Sequence, residues 1–228
     1  MRRSIAVSCL VAFFAIAPAS LLGERPDPRK PVGGNLEVPP QWKVRLDQPA
    51  EVTIGSDPET ADICFVNMTP GWHVTTGPRA ILYHPDSTAS GNYHATAEIH
   101  LFDPKDRLEG YGVFLGGRDL EAAEHSYDYI LLRNDGKFLI KRRRGESTEV
   151  VTDWTPSDAI VRYTGPEVSS VMNRLTVEAG PETVRFLVND QEVAALPRSE
   201  VQTDGVFGLR LNHHLNVHVS ELGVVARK

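Results

Sequence analysis

The sequence predicts an all-β fold, a large antiparallel β-sandwich with little helix. Three observations carry this reading. From Trp42 onward, short apolar alternations recur every 8–15 residues, separated by Gly, Pro, Asn and Asp. Two segments have the form of tight hairpins. Only "RDLEAAEHS", residues 118–126, has a composition suited to a short helical turn.

The first hairpin is "YDYILLRNDGKFLIKRR", in which Asn134-Asp135-Gly136 separates two apolar runs. Asp-Gly supplies the positive φ of a tight turn, so the flanking runs pair antiparallel. The second is "ETVRFLVNDQEVAAL", turning at Asn189-Asp190. Further strands are expected at "DICFV", "WHVTT", "AILYH", "YHATAEIHLF", "GYGVFLGG", "AIVRY" and "NRLTVEA", each bounded by turn residues.

The chain of 228 residues opens with Arg2 and Arg3, a mostly apolar run from Ile5 to Ile16, and Ala17-Pro18-Ala19. This is the pattern of a secretory signal peptide cleaved after Ala19, with an uncleaved N-terminal anchor as the competing reading. The run is shorter than the roughly 20 apolar residues a spanning helix needs. The expected organisation is a signal peptide at 1–19, a Pro/Gly-rich linker at 20–41 and one β-sandwich domain at 42–226, secreted or periplasmic, with no transmembrane helix after cleavage.

The formal net charge is −6, and loss of Arg2 and Arg3 takes it to about −8. That balance excludes nucleic acid as an expected partner, because phosphate binding needs clustered positive charge. The run Lys141-Arg142-Arg143-Arg144 reads as a solvated strand end that deters edge pairing. Beyond the leader only Cys64 remains, between Ile63 and Phe65, so no internal disulfide is expected and Cys64 reads as a small core residue.

The C-terminal stretch "GVFGLRLNHHLNVHVSELGVV" places His213, His214 and His218 within six positions. On a helix, His214 and His218 would share a face at metal-ligand spacing. The period-two alternation of Leu209, Leu211, Leu215, Val217 and Val219 with polar residues instead favours strand, where the two lie about 13 Å apart. The adjacent histidines mark a bulge in that reading.

Taken together, "GWHVTTGPRAILYHPDSTASGNYHATAEIHLFDP", "EGYGVFLGGRDL", "YDYILLRNDGKFLIKRRRGE" and the C-terminal stretch resemble exported bacterial domains of the concanavalin A-like lectin/glucanase superfamily. Within that superfamily they resemble laminin-G-like domains and the family labelled 3-keto-disaccharide hydrolase. The resemblance covers about residues 42–226 and lies in the order of strand phrases. It implies a jelly roll of two antiparallel sheets, one concave, a face that often holds sugars in this superfamily.

The family-16 glycoside hydrolases of that superfamily carry Glu-x-Asp-x-x-Glu, which alternation places on one strand face for retaining chemistry. No Glu here has an Asp two positions on. The expected role is therefore a non-catalytic module for glycans or cell-surface polysaccharides. A hydrolase or lyase resembling the 3-keto-disaccharide hydrolase family is the alternative, with Glu98, His100 or His214 in acid/base roles. A structural interaction domain is the third reading.

Candidate ligand-binding residues come from two polar strand sides, His94, Glu98 and His100 on one and Arg210, Asn212, His214, Asn216 and His218 on the other. Imidazole, amide and carboxylate groups of this kind hydrogen-bond sugar hydroxyls, if both sides line one concave sheet. The same alternation also arises in ordinary solvent-facing strands. Trp154, in a turn-rich segment, is either a stacking platform for a sugar ring or a core residue. No cofactor is required by the sequence, although the laminin-G likeness suggests calcium at Asp119, Glu121 and Asp128; the same loop also has helix-turn composition.

Overall fold

The computed structural model describes residues 36–227. The signal-peptide segment 1–19 and most of the linker 20–41 lie outside the described residues. Residues 36–41 pack against the domain, with Pro39 buried and the Glu37 carbonyl accepting from the Asn67 amide at 2.9 Å.

Among the described residues, sixteen strands follow. They begin with β1 (Lys43–Leu46), β2 (Ile54–Gly55), β3 (Ile63–Asn67), β4 (Trp72–Thr76), β5 (Ala80–Tyr83) and β6 (Thr88–Ala89). The long central strands are β7 (Tyr93–Phe102), β8 (Gly110–Arg118), β9 (Ser126–Arg133), β10 (Lys137–Arg144) and β11 (Ser147–Pro156). The chain ends with β12 (Ser170–Ala179), β13 (Thr183–Val188), β14 (Gln191–Pro197), β15 (Gly205–Leu211) and β16 (Asn216–Ala226).

They form two sheets, a jelly roll of the concanavalin A-like kind. The first runs β1-β5-β15-β8-β9-β10-β11, with β6 also paired to β15; the second runs β14-β13-β12-β7-β16-β4-β3-β2. All pairings are antiparallel except the short β2–β3 contact. The facing sides of the sheets meet in the main core, where Ile99 and Leu101 of β7 join Val113 of β8, Ile130 of β9 and Leu209 of β15. Strict alternation on β7 sends Ala95, Ala97, Ile99 and Leu101 inward and His94, Thr96, Glu98 and His100 outward.

The first sheet is covered on its other side too. Ile81, Tyr83, Phe114, Tyr127, Tyr129, Leu131 and Leu139 form a second apolar cluster there. The loop after β8 roofs part of it with Leu120, whose carbonyl accepts from Arg45 Nη1 at 2.8 Å. This outer face is concave. The Asp47 amide, just past β1, is tied to the Arg79 carbonyl at the start of β5, yet the Asp47 carbonyl also accepts from Arg143 of β10. Four strand spacings separate β5 from β10, about 19 Å if flat, more than an Arg side chain spans.

Three expectations are corrected. The phrase "AIVRY" is not a strand: Asn173 bonds the Val161 amide and carbonyl, and Asn134 takes the Tyr163 amide, so side chains satisfy this backbone in place of a ladder. The C-terminal stretch is two strands in different sheets, and the loop 212–215 carries the chain between them. His214 there has φ 50°, and Thr76 Oγ1 donates to the Asn212 carbonyl and accepts from the Leu215 amide. In the phrase 118–126 the two ends belong to β8 and β9, and residues 119–124 make turns and bends without a helix.

Candidate functional site

The crossing at 212–215 splits the candidate residues between the two sheets. His94, Glu98, His100 and His218 stand on the outward side of the second sheet, whereas Arg210 lies on the concave face of the first. Asn212 is at its rim, and His213 and His214 are in the loop. Asn216 begins β16 beside Thr75 of β4.

On the second sheet, β7 and β16 are neighbours, so His100 and His218 are register partners, and His218 is in turn the partner of His73 on β4. Ring centroids are 5.7 Å apart for His100–His218 and 6.4 Å for His73–His218. Burial, with His218 nearby, lowers His73 to about 4. Burial likewise lowers His100 and His218. The Glu98 carboxylate accepts from Arg174 Nε at 3.0 Å and from Ser220 Oγ at 3.1 Å. Those bonds, Arg174 foremost, hold its carboxyl below the usual range, which suits a fixed anion and opposes a proton donor. His94 lines a separate hollow of about 460 Å³, its Nε2 3.3 Å from Glu178 Oε1.

The concave face of the first sheet is built differently. Arg210 is fully enclosed and donates two 2.6 Å hydrogen bonds, from Nη1 and Nη2, to the two oxygens of Asp47. Arg143 adds Nη2 to the Asp47 carbonyl at 3.1 Å and Nη1 at 3.6 Å from Oδ1. Burial opposes ionisation of Asp47, and the Arg210 and Arg143 guanidiniums overcome it, so its carboxyl titrates below the usual range. The Arg210 guanidinium also lies 5.3 Å from the Tyr129 ring centre.

Beside this cluster is a pocket of about 350 Å³, lined among others by Tyr129, Leu131, Lys141, Trp154, Arg210 and Asn212. Its size is that of small-molecule sites. Trp154 is on strand β11, not in a turn, and is half-buried against the second apolar cluster. Arg133 lies 4.3 Å over its ring centre. Gly110 sits against the edge of the indole, where a Cβ would come within 3.2 Å of Trp154 Cη2 and 2.9 Å of Leu131 Cδ1. A larger hollow of about 720 Å³, between β11 and residues 199–202, has no aromatic ring in its lining.

Sequence reasoning found Arg210, Asn212 and Trp154 of this pocket and missed Asp47, Tyr129, Lys141 and Arg143. The run 141–144 is not a solvated end. Alternation turns Lys141 and Arg143 to the concave face and Arg142 and Arg144 toward Asp128 on the opposite side, at 3.5 and 2.9 Å. Asp128 is buried there and also accepts from the Gln202 amide at 3.0 Å. Of the other residues suggested for calcium, Glu121 is paired with Lys43, and Asp119 occupies a turn at φ 51°. Among the described residues, no group of three His, Cys, Asp or Glu is placed to hold a metal ion.

No family model and no curated protein matches the chain. Solved structures do resemble it in fold. The family-66 carbohydrate-binding module from Bacillus subtilis superposes with a TM-score of 0.58 at 10% identity, covering 84% of this chain and 98% of that one. A galectin-like protein of unknown function from the same species gives 0.51 at 10% identity over 82% and 91%. The Bacillus licheniformis β-glucanase gives 0.52 at 9% identity over 82% and 92%. The chain therefore has the concanavalin A-like fold, shared by binding modules and by glucanases.

Proposed function

We propose that this chain is an exported glycan-binding module, acting by binding and not by turnover, with its site on the concave face of the first sheet. One observation carries the reading. Half-buried Trp154 and buried Tyr129 line a pocket that also offers Asn212, Lys141 and the rigid Asp47–Arg210 pair. Stacking on aromatic rings combined with a few fixed polar groups is what a sugar, apolar on its C–H faces and polar at its rim, requires. The fold likeness to a carbohydrate-binding module agrees with it. Export is supported by the apolar run and Ala17-Pro18-Ala19.

The test is a thermal-shift screen against neutral and acidic oligosaccharides, repeated with Trp154→Ala. A ligand that binds only the folded state raises the melting temperature. A shift that Trp154→Ala abolishes supports the site. A shift that survives Trp154→Ala but is lost in Glu98→Gln moves it to the second sheet.

A further inference from the structure

The pocket carries charge opposite to that of the chain around it. Its lining includes the cations Arg79, Lys141, Arg143 and Arg210 against two carboxylates, Asp47 and Glu146, in a protein of net charge −6. Asp47 is already engaged by two guanidiniums, and Glu146 is exposed at the rim. Arg210 and Arg143 are thereby committed, the latter also through Nε to the Gly145 carbonyl at 2.7 Å. Lys141 is not. It is half-buried in the pocket and, among the described residues, has no hydrogen bond or ion pair. Arg79 is exposed at the pocket's edge, adds to the positive field on Asp47, and among the described residues its side chain makes one hydrogen bond, from Nε to His213 at 3.1 Å.

Two cations thus face the pocket with donors to spare, Lys141 from β10 and Arg79 from the edge of β5. Ammonium and guanidinium groups with free donors form charge-assisted hydrogen bonds to an anion that enters beside them. Building on the concave-face reading, we propose that the glycan is acidic, a sugar whose ring bears a carboxylate or a sulfate ester. Lys141 and Arg79 hold the anionic group while Trp154 takes the ring face. The local positive field draws such a ligand to a protein whose overall charge repels it.

Titration calorimetry on the purified protein tests this with four probes: an oligogalacturonate, the same oligomer carboxyl-reduced to its neutral form, a sulfated galactan oligosaccharide, and sodium sulfate. The expected result is that at least one acidic oligosaccharide binds, about tenfold or more tighter than the neutral oligomer, the scale of a charge-assisted contact. Lys141→Met should erase that difference without changing the melting temperature, since Lys141 has no partner to lose. Rising salt should weaken the acidic ligand alone.

Equal affinity for neutral and acidic oligomers, lost in Trp154→Ala, overturns the acidic ligand and leaves the glycan site standing. Tight binding of sodium sulfate without any oligosaccharide overturns it in favour of a small-anion site. If no oligosaccharide of either kind binds, the glycan reading falls along with it.

Discussion

Arg210 and Asp47 form a bidentate ion pair, both contacts 2.6 Å, with the guanidinium wholly enclosed on the concave face. The pair joins β15 to the segment past β1, and Arg143 extends the link to β10. Removing one member of a buried pair leaves an uncompensated charge, which costs about 3–5 kcal/mol. Asp47→Ala is therefore expected to lower the urea midpoint severely, since it strands Arg210 and removes the carboxylate 3.6 Å from Arg143, which keeps its bonds to the backbone carbonyls of residues 47 and 145. Arg210→Met should cost less, because Asp47 keeps Arg143. Equal losses would mean that the two guanidiniums do not share the carboxylate.

Trp154 depends on the absence of a side chain at Gly110. In Gly110→Ala the new methyl comes within 2.9 Å of Leu131 Cδ1 and 3.2 Å of both Leu131 Cβ and Trp154 Cη2, so the neighbours must shift. Stability should fall by about 1–3 kcal/mol, while the indole is displaced from its place in the pocket. Tryptophan emission should shift to the red against the contribution of Trp42 and Trp72, which pack together at 4.9 Å. Glycan affinity should fall toward that of Trp154→Ala. Unchanged emission and affinity would show that the ring has no need of that space.

Asn173 is fully buried and serves four partners: the Val161 amide and carbonyl, the Tyr111 hydroxyl, and Asn189 Nδ2. Removal of the amide leaves several of these unsatisfied at once. Asn173→Ala is expected to destabilise the fold by about 3 kcal/mol. Hydrogen exchange should localise the loosening to residues 159–163, with β7 still protected. Global loss of protection would give Asn173 a wider role than holding this segment.

These residues also mark what sequence makes legible. The strand β7 was readable because one face is buried and the other is not, so period two survives in the letters. The strand β11 was not, because this edge strand has only Val150, Val151 and Trp154 as large apolar residues and most of it is exposed. The concave pocket draws Asp47, Arg79, Tyr129, Lys141, Trp154 and Arg210 from six different segments, a convergence made by strand order and curvature that no local window contains. One signal was available. In "SYDYILLR" both strand faces are apolar or aromatic, which requires cover on both sides and points to a second cluster outside the main core. The polar residues of β7 and β16 stand on neighbouring strands of the second sheet, but the chain changes sheets at His213-His214, so Arg210 and Asn212 part from them.

The histidine row on the second sheet sets the acid response. His73 is neutral in the fold and titrates at about 4, held there by burial and by His218, against an ordinary value of 6.5. As pH falls below 6.5 the unfolded chain takes up the proton first, so stability declines between about pH 6.5 and 4 and is flat above. The shift is worth on the order of 3 kcal/mol for His73. His100, His218 and His125, lowered chiefly by burial, act in the same direction. Asp47, whose carboxyl lies below its ordinary 3.8, contributes its loss only beneath this window. Urea midpoints at pH 7.5 and pH 5 should therefore differ, and His73→Gln should narrow the gap. A gap unchanged in that variant would assign the acid sensitivity to the other three histidines.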